Sequence, residues 1–415
     1  MTRYGAQTEL ALGNFPTHGR LLSQVPELLR GYAWVKEAAA RANVELGVLD
    51  EVRGAAIERA AREVADGGHN AEFPLPVVQG GGGTSTNMNV NEVLAARATE
   101  LLAASGRAEL RVHPNDHVNR SQSTNDTYPT AMALALAQLA GTTRASLDVL
   151  EHSLLAKGAE YDALVRLGRT CLRDAVPLTA GQTHRGQAHA VRRTSAVLAR
   201  AAEDLLAVPL GGTVLGTGIS APPGFAAAAV GHLRARSGYE VTVAGDYFDA
   251  MANLDAYSGL ANSCVRAAHV LAKIAADLRL LSAGAAVGRA EVVLPALQAG
   301  SSIMPGKVNP VVPELVMQLG YRIRGAASTV DAAVAGGELE LNVMEPVILD
   351  ALVTALTDLR EASATFATRC IDGLVWDGPA VAANLAGSLH ELVEMSAEVG
   401  YDAAARTATA SSATR

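Results

Sequence analysis

Eleven consecutive residues, Gly300-Ser301-Ser302-Ile303-Met304-Pro305-Gly306-Lys307-Val308-Asn309-Pro310, gather two hydroxyls, one fixed positive charge and one amide. Two glycines free this backbone to approach a ligand, and two prolines exclude a regular helix or strand, so the stretch is expected to be a loop. Hydroxyl, ammonium and amide together suit the capture of a carboxylate and the removal of a proton beside it. A phosphate cradle does not fit. Five residues instead of four separate Gly300 from Gly306, and Val308 stands where a Ser or Thr would hold magnesium.

Three other stretches carry polar chemistry. Gln79-Gly80-Gly81-Gly82-Gly83-Thr84-Ser85-Thr86-Asn87-Met88-Asn89 opens into a helical pattern over Asn91 to Ala103. A glycine run alone is a flexible loop, but one that enters a helix also turns backbone N–H groups toward a ligand. Val112 to Asp126 is dense in hydrogen-bonding side chains, and Asn125, Asp126 and Pro129 signal a helix start running through Ala131 to Ala140. Ser123, Thr124 and Asn125 at that mouth, with the helix amides and dipole, would form a neutral carboxylate site or simply a well-capped end. His113 and His117 lack the further partners a metal would need. The third stretch is Gly168-Arg169-Thr170-Cys171-Leu172-Arg173-Asp174-Ala175-Val176-Pro177-Leu178-Thr179-Ala180-Gly181-Gln182. Gly216 to Ala221 matches a dinucleotide fingerprint by letter, but Pro222-Pro223 prevents a helix from opening there.

The elements that must position these stretches read as helices. Val35 to Asn43, Val48 to Val64, 185 to 205, Met251 to Leu281, 312 to 335 and 345 to 372 all carry helical patterns, and Leu271, Ile274, Leu278 and Leu281 mark a bundle seam. With 415 residues, 49% hydrophobic, 18% charged and only 4% aromatic, the chain is soluble, globular, rich in small side chains and expected to be all-α. A net charge of -8 argues against a nucleic-acid partner. Residues 127 to 143 read as a buried core helix rather than a membrane span. Cys171, Cys264 and Cys370 show no CxxC pair or zinc spacing, which points to a reducing cytoplasm, and the N-terminus lacks the apolar core of a signal peptide.

The eleven-residue loop resembles the signature of the aspartase/fumarase superfamily, and the resemblance extends over essentially the whole chain through GGGTSTNMN, SQSTND, GRTCLRDAVPLTAGQ and the string Glu338 to Pro346. It implies a three-segment fold: a mostly helical domain over 1–124, a central long-helix bundle over 125–379 and a C-terminal helical domain over 380–415, most of which is absent. It also implies a homotetramer with sites shared among three subunits, no cofactor, and a small dicarboxylate substrate. By the same resemblance Ser301 is the base, working as an alkoxide. Ser123 and Thr124 bind one carboxylate of a substituted succinate, Lys307 and Asn309 grip the other, and Ser302 lies beside the base. Thr84, Asn125, Thr170 and Cys171 surround the leaving group. His113, Asn115 and Asp116 match a segment tied to a secondary anion site.

One departure is informative. The family places His, or Gln in some aspartases, where this chain has Cys171, and pairs that His with a glutamate matching Glu314. A smaller, weaker hydrogen-bonder leaves that pocket roomier and less polar. His184 is a candidate for part of the lost role, while a nucleophilic Cys171 has no recognisable His-Asp partner in the sequence. Several blocks lean toward aspartases, so elimination of ammonia from L-aspartate to give fumarate is the expected reaction. Nitro-, hydrazino- or N-alkylaminosuccinate, malate, or a catalytically silent scaffold are the alternatives.

Overall fold

The computed structural model describes residues 2–15, 19–284, 286–288, 290–386, 388 and 390–412. Its helices and strands in chain order begin with α1 (Ala6–Asn14), α2 (Pro26–Glu45), α3 (Glu51–Ala65), α4 (Thr84–Ala104) and α5 (Thr124–Glu160). A hairpin follows, β1 (Val165–Thr170) and β2 (Arg173–Thr179), then α6 (Ala180–Glu203), β3 (Ala207–Val208), α7 (Phe225–Ser237), β4 (Thr242–Val243), α8 (Tyr247–Ala252) and α9 (Asp255–Leu281). The chain continues through β5 (Val292–Val293), α10 (Val311–Val334), α11 (Glu345–Phe366), β6 (Val375–Trp376), α12 (Gly378–Ala386), α13 (Glu391–Val399) and α14 (Tyr401–Ser412). The fold is all-α; each of its sheets is a single strand pair, β1 with β2 and β5 with β6 antiparallel, β3 with β4 parallel. Among the described residues no helix is long and apolar enough to cross a membrane.

Two compact units make up the chain: residues 1–143, 197–265 and 322–357 in the first, and 144–196, 266–321 and 358–415 in the second. Their boundaries fall inside α5, α6, α9, α10 and α11. Helices begin earlier than the apolar pattern alone suggests. Pro26 starts α2 nine residues before Val35, because its fixed φ suits a first helical position. Asp50 caps α3 by accepting from Arg53 N at 2.9 Å. Likewise α4 starts at Thr84 rather than Asn91, because polar residues that would face water elsewhere are buried here.

In the first unit, small residues let backbones touch. A Cβ on Gly31 of α2 would lie 2.5 Å from Ala131 O of α5. The first half of α5 is buried almost all round, as a core helix over 127 to 143 requires. In the second unit Leu271, Ile274 and Leu278 of α9 are buried and Leu281, its last residue, is half-buried, so the seam expected from their spacing forms.

His184 belongs to this second unit, and both of its ring nitrogens are engaged within it. Its ring is fully buried: Nε2 accepts from the Trp376 indole at 2.9 Å, and Nδ1 lies 2.9 Å from Gln187 Oε1, to which it donates in the tautomer this pairing requires. The imidazole thereby joins α6 to β6. Burial lowers its pKa from 6.5 to about 4. The folded chain therefore binds fewer protons at this site than the unfolded chain between those values, and stability falls as pH falls through that window, by at most about 3 kcal/mol. Replacing His184 by Gln, which still accepts from Trp376, should flatten this loss. Urea midpoints near about pH 7 and about pH 4.5 for both chains read it; an unchanged acid slope in the variant would show that the slope arises elsewhere.

Candidate active site

The expected site residues divide between the two units. Thr84, Ser123, Thr124 and Asn125 lie in the first, and Thr170, Cys171, Ser301, Ser302, Lys307, Asn309 and Glu314 in the second.

In the first unit the glycine run is a shaped entrance rather than a flexible loop. Gly81, Gly82 and Gly83 have φ of +90, +59 and +84, and a Cβ on Gly83 would lie 2.0 Å from the Tyr128 ring. Pressed against Tyr128, the loop delivers the N-terminus of α4. Thr84 is exposed there, and its hydroxyl donates to Gly81 O at 2.8 Å, leaving its oxygen lone pairs free to accept.

The start of α5 is a capping box. Ser123 Oγ accepts from Asn125 N at 3.2 Å, and Asp126 Oδ1 accepts from Ser123 N at 2.9 Å. The other Asp126 oxygen accepts from Gly211 N at 3.0 Å and Thr213 N at 3.1 Å, tying the helix mouth to the glycine turn after β3. Asn125 Nδ2 adds a bond to Val214 O at 2.7 Å. Asp126 is fully buried, which pushes its carboxyl up to about 7 against the pull of these N–H groups and of Lys36.

Beneath the loop lies the ammonium of Lys36, itself fully buried and lowered by burial to about 7. It donates to Asn119 Oδ1 at 2.9 Å and Gln122 Oε1 at 3.0 Å. Asn119 Oδ1 also accepts from Asn87 and Asn91, each at 3.2 Å, and Asn87 Nδ2 donates to Thr124 Oγ1 at 3.1 Å. Ser123 Oγ and Thr124 Oγ1 each accept from the protein, and no described residue accepts from their O–H groups, which keeps those donors available. Lys36 and Asp126 were not foreseen as site residues. The Ser123-x-x-Asp126 spacing signals the capping box, whereas nothing in the sequence marks Lys36. Nearby, His113 Nδ1 caps its own turn by accepting from Asn115 N at 3.3 Å and Asp116 N at 3.1 Å.

In the second unit the loop from Gly300 to Pro310 is closed on itself. Gly300 N donates to Lys307 O at 2.8 Å and Asn309 Nδ2 donates to Gly300 O at 2.9 Å. A side chain at 300 would meet Lys307 O at 2.7 Å, so only glycine closes it. Inside, Ser301 Oγ accepts two backbone N–H groups, from Ile303 at 3.1 Å and Met304 at 3.0 Å. Both aim positive dipole ends at one hydroxyl oxygen. Ser302 and Lys307 are exposed, and the Lys307 ammonium has no hydrogen-bond or ion-pair partner among the described residues. Glu314, in the first turn of α10, faces Arg279 of α9 at 3.7 Å.

Thr170 and Cys171 lie at the tip of the β1–β2 hairpin. Thr170 pairs with Arg173, so Cys171 and Leu172 are the two turn residues, with φ of 52 and 57. Positive φ at both is the geometry of the tight I′ turn, which Asn-Gly fills without strain and Cys-Leu does not. Cys171 is exposed, and Leu172 is 73% exposed.

A family model described as "Lyase" matches residues 2–325. The chain is 42% identical over 406 residues to an aspartate ammonia-lyase of Pseudomonas canavaninivorans, covering 98% of this chain and 86% of the relative. To a class II fumarate hydratase of Nitrosomonas europaea it is 39% identical over 406 residues, covering 98% and 87%. Among solved structures, a fumarate lyase:delta crystallin from Brucella melitensis bound to cobalt superposes with a TM-score of 0.95 at 40% identity, covering 100% of this chain and 90% of that one. Loop signatures, fold and these relatives agree: the chain belongs to the aspartase/fumarase superfamily of lyases.

Proposed function

We propose that this lyase eliminates ammonia from L-aspartate to give fumarate, with Ser301 as the base. The observation that carries the reading is the pair of N–H groups on Ser301 Oγ. A serine hydroxyl is too weak a base to remove a carbon-bound proton, and donors fixed on its oxygen favour the alkoxide that could. The exposed Lys307, without a partner among the described residues, adds positive charge to the same loop.

In this mechanism the C–H proton passes to Ser301 Oγ and the electron pair moves into the adjacent carboxylate, which becomes a dianion. Holding that dianion is the main catalytic task. Ser123 and Thr124, whose hydroxyls donate outward at the mouth of α5, would hold it together with the helix amides. The pair then returns to form the carbon–carbon double bond as the C–N bond breaks and ammonia leaves. Lys307 and the second N–H of Asn309 would hold the other carboxylate, beside Ser302. Thr84 presents acceptor lone pairs, which suit a substrate ammonium better than another carboxylate. Asn125, Thr170 and Cys171 complete the leaving-group side, and Glu314 supports the loop from α10. We place this site in a homotetramer, each site drawing on three copies. Relatives named aspartate ammonia-lyase support ammonia as the leaving group, and those named class II fumarate hydratase keep malate as a competitor.

Cys171 favours a second reading, in which the roomier pocket takes a nitro-, hydrazino- or N-alkylaminosuccinate. Two experiments test these assignments, with fumarate release followed by its ultraviolet absorbance. Ser301→Ala should lower turnover of L-aspartate by about a thousandfold with the helical signal intact; turnover near the unaltered chain's would remove Ser301 from the mechanism. Cys171→His should change kcat/KM for L-aspartate by only a few fold, whereas a gain of about tenfold or more would mean that cysteine serves a different substituent.

A further inference from the structure

The second unit holds a cavity of about 420 Å³ between the β1–β2 hairpin and the C-terminal part of α9; of the site residues described above it shares Thr170. Three positive side chains line it, Arg166, Arg169 and Lys273. Two are neutralised: Arg169 grips the buried Glu291 through both Nη atoms, and Lys273 pairs with Asp277. Glu291 also accepts from Asn384, so three of its acceptor sites are taken.

Arg166 is the exception. It is only 8% exposed, its Nε is buried without a partner, and its guanidinium makes no hydrogen bond or ion pair with any described residue. One face lies over the Trp376 ring, 5.2 Å from its centre. Burial lowers its pKa while Glu291 pulls the other way, and a guanidinium stays charged through such shifts. Buried arginines are nearly always paired, so one that lines a cavity without a partner among the described residues has the chemistry to seat an anion. Thr183 Oγ1 and Arg169 Nε, also buried and unpartnered, belong to residues of the same wall. Thr170 and Asp277 add polar atoms, and the rest is apolar, with Val176, Leu178, Leu280 and Leu281 prominent.

We propose that this cavity binds a small monocarboxylate with an apolar body, its head on Arg166 and Thr183 and its tail along the leucines. One uncompensated cation suits one negative charge, which disfavours a dicarboxylate or a phosphate dianion. The ligand would sit against β1, the strand that ends in Thr170 and the Cys171 turn.

Hexanoate is the probe and hexanol, with the same tail and no charge, its control. Calorimetric titration of the full chain should show hexanoate binding at millimolar concentrations or below, at least tenfold more tightly than hexanol. Arg166→Gln should weaken hexanoate at least tenfold, and Lys307→Met should leave it unchanged. Equal affinity for hexanoate and hexanol, or undiminished binding in Arg166→Gln, would overturn the proposal. So would loss of binding in Lys307→Met, which would place the probe in the loop of Ser301. If Arg166→Gln does not fold, the comparison of hexanoate with hexanol on the unaltered chain decides.

Discussion

Burying the Lys36 ammonium is the constraint on which the first unit's part of the site depends. An ion of this size taken out of water costs several kcal/mol unless its hydrogens are met. The two groups that meet them, Asn119 Oδ1 and Gln122 Oε1, come from the loop that leads to Ser123. Once those amides are committed the loop has little freedom left. Asn119 is further fixed by Asn87 and Asn91, Ser121 adopts a left-handed φ of 63, and Asn43 receives its hydroxyl. A buried cation thereby fixes the path of the loop that leads to Ser123. Asp126 does the same from the far side of the capping box, with its three N–H bonds in place of a counter-ion.

The second unit solves a different problem by different means. Its loop over 300–310 is exposed, so burial cannot fix it, and Ile303 stands 87% exposed at its crest. Closure comes from the Gly300 and Asn309 bonds, and the charge environment of Ser301 comes from backbone dipoles that are already in place before any ligand arrives. Donors fixed in advance cost no reorganisation when charge develops on the oxygen they face. The methyl-sized freedom of glycine at 300 is what permits the ring to close.

How far the sequence carries depends on which physical signal each feature leaves. Long helices leave apolar periodicity, and α9, α10 and α11 lie close to where it puts them. The 300–310 stretch leaves Gly and Pro, which mark a loop directly. Helix starts differ in legibility: the start of α5 is marked by Asn125, Asp126 and Pro129, whereas the polar first turns of α4 look like loop by composition and are helical because Asn87 and Asn91 find buried partners far along the chain. The β1–β2 hairpin left no ordinary turn signal, since Cys-Leu occupies the place where Asn-Gly would be expected. Lys36 sits in a helical pattern and reads as a surface lysine until its partners, more than eighty residues away, are known. A still greater separation, 192 residues, hides the commitment of His184 to Trp376.

That Cys-Leu turn bears on what position 171 can hold. Non-glycine residues in the left-handed region cost on the order of 1 kcal/mol or more each, and two in succession persist only where the surroundings over-determine them. Here the surroundings are the pairing of Thr170 with Arg173, the bulge at Gly168, whose missing Cβ would meet Val176 O at 2.5 Å, and the Arg169–Glu291 grip beside the turn. All of them hold backbone. None depends on the side chain at position 171, so the hairpin presents whatever side chain stands there at the same point. Chemistry at the tip is therefore separable from the fold beneath it, and a change of residue at 171 alters what the turn offers a ligand while the stability of the second unit rests on bonds elsewhere.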